Sequence, residues 1–243
     1  MLDERTVVRR AGVRHDGGVA TATRNQSTNR GAVRGFVAGR PPTLRQAVLF
    51  VVACAALVLA LRLWLKWVGP MPGDQWVRRH HDSVWLQPTP VVDLGTFFSV
   101  IGTPVVAILT VVVGLIYAVR AEGARGGLFL LLAASGTIAN AALKELSGPT
   151  PLMVALGAPA GLNFPSGHTV YAVATFGALA FLARRARRFD VAVPLVGLLL
   201  LMGPFRVIAT AHFVSDVVAG YLVGLAWLVL CAALVLSPSP RKR

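Results

Sequence analysis

A chain of 243 residues in which 55% are hydrophobic and only 14% charged, with a mean hydropathy of +0.66, carries too little polar surface for an ordinary soluble domain. Its formal charge of +14 would suit nucleic acid if it were gathered on one soluble face, but the basic residues sit in short segments between apolar runs. That distribution argues against a nucleic-acid partner and for a single helical membrane domain whose partner is the bilayer. The two cysteines, Cys54 and Cys231, both lie inside apolar runs and form neither a disulfide framework nor a metal pattern.

Residues 1–45 hold nine arginines and few large apolar side chains, so this segment is expected to be a disordered basic tail. It is too long and too poor in apolar residues to open a cleaved secretory signal, and the first apolar run is expected to remain as an anchor. Apolar runs then predict six spans, at about 46–68, 97–119, 126–146, 167–183, 191–207 and 213–236, each near the roughly 20 residues that a bilayer requires. Residues 69–96 read as a polar, proline-containing loop, and 237–243 as a short basic tail. Strands are implausible, because an open sheet leaves its backbone unpaired in lipid and the runs lack strict alternation. The expected fold class is therefore all-α, a polytopic membrane bundle of about six helices occupying residues 46–236.

Counting Lys and Arg in alternate connections gives the orientation. One side receives eighteen, in the two tails and at Arg120, Arg125, Arg184, Arg185, Arg187 and Arg188; the other receives Arg78, Arg79, Lys144 and Arg206, with Arg62 and Lys66 near the end of the first span. Both termini are predicted to be cytoplasmic, which places the remaining polar groups at the outer ends of the helices.

Those groups fall into three clusters. His212 and Asp216 stand four residues apart at the start of the sixth span, so the carboxylate can fix the imidazole's tautomer and leave its other nitrogen free as a nucleophile. A structural pair tying two helices together would show the same spacing. Pro165-Ser166-Gly167-His168 opens the fourth span as a helix start does, and the free N–H groups of Ser166, Gly167 and His168 would suit an anion such as phosphate. His168 could give a proton to a departing alkoxide, whereas Ser166 taken alone reads as an ordinary helix cap. Lys144 and Arg206 could clamp the oxygens of a phosphate, or could simply snorkel to the head groups. No acidic pair resembles a magnesium or two-metal site, so neither metal nor cofactor is expected.

These residues resemble the type 2 phosphatidic acid phosphatase family, the lipid phosphate phosphatases related to vanadium haloperoxidases. That family carries three motifs: lysine, six residues and Arg-Pro; Pro-Ser-Gly-His; and Ser-Arg, five residues, His, three residues and Asp. The second is complete at Pro165-Ser166-Gly167-His168. The third keeps its spacing at Arg206, His212 and Asp216, with Phe205 in place of serine. The first is one residue short, and Thr150 stands where the arginine would fall. The resemblance implies a metal-independent membrane hydrolase acting on a lipid phosphate or diphosphate, such as phosphatidic acid or a polyprenyl diphosphate. It implies attack by His212 to give a phosphohistidine, polarisation by Asp216, protonation of the leaving group by His168, and phosphate binding by Lys144, Arg206, Ser166 and Gly167. Arg78 and Arg79, in the long outer loop, are candidates to compensate for Thr150, an interfacial loop without catalytic part being the alternative. Transfer of the phospho head group to another acceptor, and a non-catalytic membrane protein with a degraded site, remain the other readings.

Overall fold

Thr43 starts the first helix of the computed structural model, which describes residues 39–85, 90–148, 164–209 and 211–237. The Thr43 hydroxyl accepts the Gln46 N–H while the Gln46 side chain accepts the Thr43 N–H, a reciprocal cap that satisfies two donors otherwise orphaned. The helix it opens, α1 (Leu44–Trp67), is apolar almost throughout and presents most of its large side chains outward, as a lipid-facing span must. Thr150 and both tails as far as residue 38 and from residue 238 lie outside the described residues.

The stretch read as a loop over 69–96 is largely helical. It folds into α2 (Pro72–Trp85) and the first part of α3 (Pro90–Ile101). Proline opens each of them, a position where its missing N–H is no loss. Helix α2 buries Asp74 and Val77 and exposes Trp76, Arg78 and Arg79. A helix with so narrow a buried face contains no continuous apolar run, which is why a search for spans passes over it. The second span consequently begins later than expected, at Pro104, because Gly102 and the extended Thr103 interrupt the chain after α3.

Helix α4 (Pro104–Ala134) doubles back on itself at Glu122 and Gly123, whose backbone is not helical; Gly123 takes φ 63°, where a side chain would be strained. The two arms pack closely: a side-chain carbon on Gly126 would lie 2.3 Å from the Ala118 carbonyl oxygen, and one on Gly114 lies 3.2 Å from Leu130. The second arm continues past Ser135 into α5 (Gly136–Ser147). By length and composition four stretches can cross a membrane: Leu44–Trp67, Pro104–Ser147, Phe189–Ile208 and Val214–Leu236. With the hairpin in the second of them, and the central rod described next, the described chain traverses the bundle six times.

That rod consists of α6 (Gly167–Tyr171), a π-helical turn (Ala172–Phe176) and α7 (Gly177–Arg185). From Thr169 to Ala183 every residue is buried, as the sequence TVYAVATFGALAFLA, apolar on all sides, requires. Around it stand α4, α8 (Phe189–Ile208) and α9 (Val214–Leu236), with Phe129, Leu130, Phe181, Leu182 and Leu228 among the enclosed core. Small residues let α9 approach the rod: a carbon on Gly224 would sit 2.7 Å from Val173, and one on Gly220 2.9 Å from the Ser166 carbonyl. Helix α1 closes the other side of α9, with Ala47 against Val229 and Ala233 at one end and Leu65 against Phe164 and Ala219 at the other.

Candidate active site

The end of the bundle where α5, α8 and α9 meet the start of the rod gathers the polar residues singled out from the sequence. Helix α5 carries Lys144 in its last turn, and Asn140, one turn earlier, is 2% exposed. Both reach over Gly167: a side-chain carbon built there would lie 3.6 Å from the Lys144 Nζ and 3.7 Å from the Asn140 Nδ2. Glycine at 167 thus keeps the space beneath these cations and donors open.

At Ser166 the structure corrects the expected cradle of three free N–H groups. The Ser166 N–H donates to the Asp216 carbonyl at 2.9 Å, tying the rod to α9, so only the N–H groups from Gly167 onward face outward from the first turn. Ser166 does occupy the capping position, but its hydroxyl makes no cap hydrogen bond; Oγ accepts the Thr169 hydroxyl at 3.1 Å instead. An acceptor on that side leaves the Ser166 proton available for a different partner. Pro165 lies before the cap rather than inside the first turn.

His168 packs its ring on Gly102, where any side-chain carbon would stand 1.9 Å from the imidazole Cδ2. Its Nε2 lies 3.3 Å from the Ser99 carbonyl, an acceptor that calls for the proton on Nε2. The same serine offers its hydroxyl to Arg206, whose Nη1 donates to Ser99 Oγ. Arg206 comes from the last turn of α8, and α3 therefore bridges the two motifs through one residue. Ser99 and Asn140 are the side chains that reading the sequence missed. Asn140 could have been found from its place four residues before Lys144, on the same helical face.

His212 stands just before α9 rather than on it, since the helix begins at Val214. Its Nδ1 faces Asp216 Oδ2 at 3.5 Å, and that same oxygen accepts the Phe213 N–H at 3.1 Å. The imidazole is 7% exposed and the carboxylate fully buried. Burial pushes the His212 imidazole below its ordinary value of 6.5, Asp216 pulls it back up, and the positive charges of Arg206 and Lys144 push it further down. The ring is therefore neutral at pH 7, with Nε2 turned away from the carboxylate partner. The rings of His168 and His212 face one another with centroids 6.4 Å apart.

Lys144, Ser166, Gly167, His168, Arg206, His212 and Asp216 thus come together at one end of the bundle. Arg78 and Arg79 are exposed on α2. Among the described residues, Arg206 Nε, Asn140 Oδ1, His212 Nδ1 and Asp216 Oδ1 are buried without a hydrogen-bond partner, and no three His, Cys, Asp or Glu side chains gather as a metal-ligand set. Two imidazoles on separate elements, one held by a carboxylate, beside a lysine and an arginine, can carry out nucleophilic attack and proton transfer on an anionic group.

The chain is similar to known proteins over most of its length. Residues 125–238 match the PAP2 superfamily. The chain is 28% identical over 214 residues to a lipid A 1-phosphatase of Rhizobium johnstonii, an alignment covering 81% of this chain and 83% of the relative. Its fold is similar to that of a transmembrane PAP2-type phosphatidylglycerolphosphate phosphatase from Bacillus subtilis, with a TM-score of 0.60 and 20% identity, over 79% of this chain and 98% of the other. The family match over the hairpin's second arm, the rod, α8 and α9, together with the likeness to the two phosphatases, supports a membrane phosphatase of the PAP2 type.

Proposed function

We propose that the protein hydrolyses a lipid phosphate or diphosphate, of the phosphatidic acid or polyprenyl diphosphate kind, through a phosphohistidine formed on His212. The observation that carries this reading is the pair of imidazoles facing across 6.4 Å, with His212 backed by Asp216 and both rings within the field of Arg206 and Lys144. In the first step the lone pair of His212 Nε2 forms a bond to phosphorus and the bond from phosphorus to the lipid oxygen breaks. His168 gives its proton to that oxygen. In the second step His168 takes a proton from water as the water oxygen bonds to phosphorus, and the electron pair of the P–N bond returns to His212. The products are the lipid alcohol, or a lipid carrying one phosphate fewer, and inorganic phosphate.

Charge builds on the phosphoryl oxygens between these steps. Lys144 and Arg206 are placed to stabilise it, with the N–H of Gly167 and the free proton of Ser166 adding hydrogen bonds. Asp216 holds His212 in the tautomer with its proton on Nδ1. The loss of the first-motif arginine, replaced by Thr150, removes one charge-assisted contact of about 1.5–3 kcal/mol, which is about one to two decades in rate if it acts only in the transition state.

The sorting of eighteen Lys and Arg to the other end of the helices supports placing this site on the outer face of the cell membrane with both termini cytoplasmic. A head group at that interface reaches the site while its tails stay in lipid. The test is purified protein against phosphatidic acid, lysophosphatidic acid, polyprenyl diphosphates and lipid A, with EDTA present. Phosphate release that continues in chelator supports the histidine mechanism; strict dependence on added metal sinks it.

A further inference from the structure

We infer that Asp74, on α2, is a positioning residue that fixes His212 and Asp216 by capping α9 from a distant part of the chain, an inference that rests on the phosphohistidine reading above. A helix leaves its first N–H groups without acceptors, and the usual supplier is the side chain of its own capping residue. In α9 that residue is Phe213, whose ring accepts nothing and is buried against Val77 and Val207. Asp216, in the third helical position, reaches back to the Phe213 N–H, and the oxygen it uses is the one that faces His212.

The Ser215 N–H is left, and it is taken by Asp74 Oδ1 at 3.0 Å across 141 residues of sequence. The other Asp74 oxygen accepts the Met71 N–H at 3.2 Å, so one fully buried carboxylate ties the start of α2 to the start of α9. Gly73 makes the contact possible, since a side-chain carbon there would stand 2.7 Å from Val214. Without the Asp74 acceptor, a buried donor in the first turn of α9 is orphaned. Asp216 and the imidazole it holds then lose their fixed register against His168. Lys144 and Arg206 are anchored on α5 and α8, so capture of the phosphate stays while attack on it suffers.

The prediction is a split between kcat and KM. In purified full-length protein assayed with a short-chain lipid phosphate, Asp74→Ala should lower kcat by about 10- to 100-fold while KM and inhibition by inorganic phosphate stay within about threefold. Asp74→Asn keeps one acceptor oxygen for the Ser215 N–H and gives up only the one that takes the Met71 N–H, outside α9, so it should stay within about threefold of wild type. An alanine variant that unfolds at the wild-type temperature and keeps wild-type kcat overturns the role, as do equal losses in Ala and Asn or a loss carried by KM. Should the alanine variant not fold, Asp74→Glu decides the matter. It retains an acceptor but displaces it, so a fall in kcat at constant KM supports the role and a wild-type kcat overturns it. Wild-type protein without any turnover would sink the phosphatase reading and this role together; active wild type with an indifferent Asp74 sinks this role alone.

Discussion

The two ends of the bundle handle charge in opposite ways. At the end opposite the site, Arg185 holds Glu122 through both carboxylate oxygens, at 2.6 and 3.2 Å, and donates to the Gly39 carbonyl at 3.1 Å. Both side chains are 25% exposed, and the pair clasps the hairpin of α4 to the end of the rod. At the site end the charged groups are more deeply buried yet less completely paired: Arg206 Nε, His212 Nδ1 and Asp216 Oδ1 make no hydrogen bond among the described residues. Buried polar groups left in that condition destabilise a fold. Tyr117 Oη, near the hairpin of α4, is also buried without a partner, but the incompletely paired groups at the site end are the charged and titratable ones, arranged for chemistry rather than for architecture.

The sharpest way to break this contrast is His212→Ala, which should lower phosphate release by about 10⁴-fold or more while leaving the thermal unfolding temperature near wild type. A residual rate close to wild type would return His212 and Asp216 to the status of a structural pair. His168→Ala should cost about 10²- to 10⁴-fold on a natural lipid ester and far less on an aryl phosphate, whose leaving group needs no proton. Equal losses on both substrates would deny His168 its role as acid. The pH profile carries a sign. Because burial holds the His212 imidazole below 6.5, the nucleophile stays neutral and the acid limb of kcat/KM should fall below that value; Asp216→Asn, which removes the group that raises it, should move the limb lower still. At the other end, Glu122→Gln should destabilise by about 1 kcal/mol or less and leave kcat unchanged. Smallest of all, alanine at Arg78 and Arg79 together should lower turnover of a short-chain lipid phosphate by about threefold or less, the size of effect expected of exposed charges screened by solvent.

How far the sequence reveals this molecule depends on what kind of pattern each part leaves. The spans leave runs of apolar residues, and the rod in particular announces its burial by being apolar on every side. His212 and Asp216 leave a spacing, as does the tetrapeptide from Pro165 to His168. Helix α2 leaves neither, because its apolar face is narrow and its anchor is the carboxylate of Asp74, a residue that in sequence reads as solvated. Ser99 is equally silent: its importance arises only when α3 docks beside both His168 and Arg206, a long-range event with no local signature. The Ser166 N–H shows the converse failure. Local rules for helix starts leave it free, and a tertiary contact with the Asp216 carbonyl claims it.

The encasement of the rod has a consequence for how the protein meets different membranes. A bilayer thicker or thinner than the hydrophobic length of a span is accommodated by tilting or bending whatever touches lipid, and from Thr169 to Ala183 nothing does. Changes in lipid thickness therefore act first on α1, α4, α8 and the exposed side of α9, where Val218 and Leu234 stand outward, and reach His168 only through them.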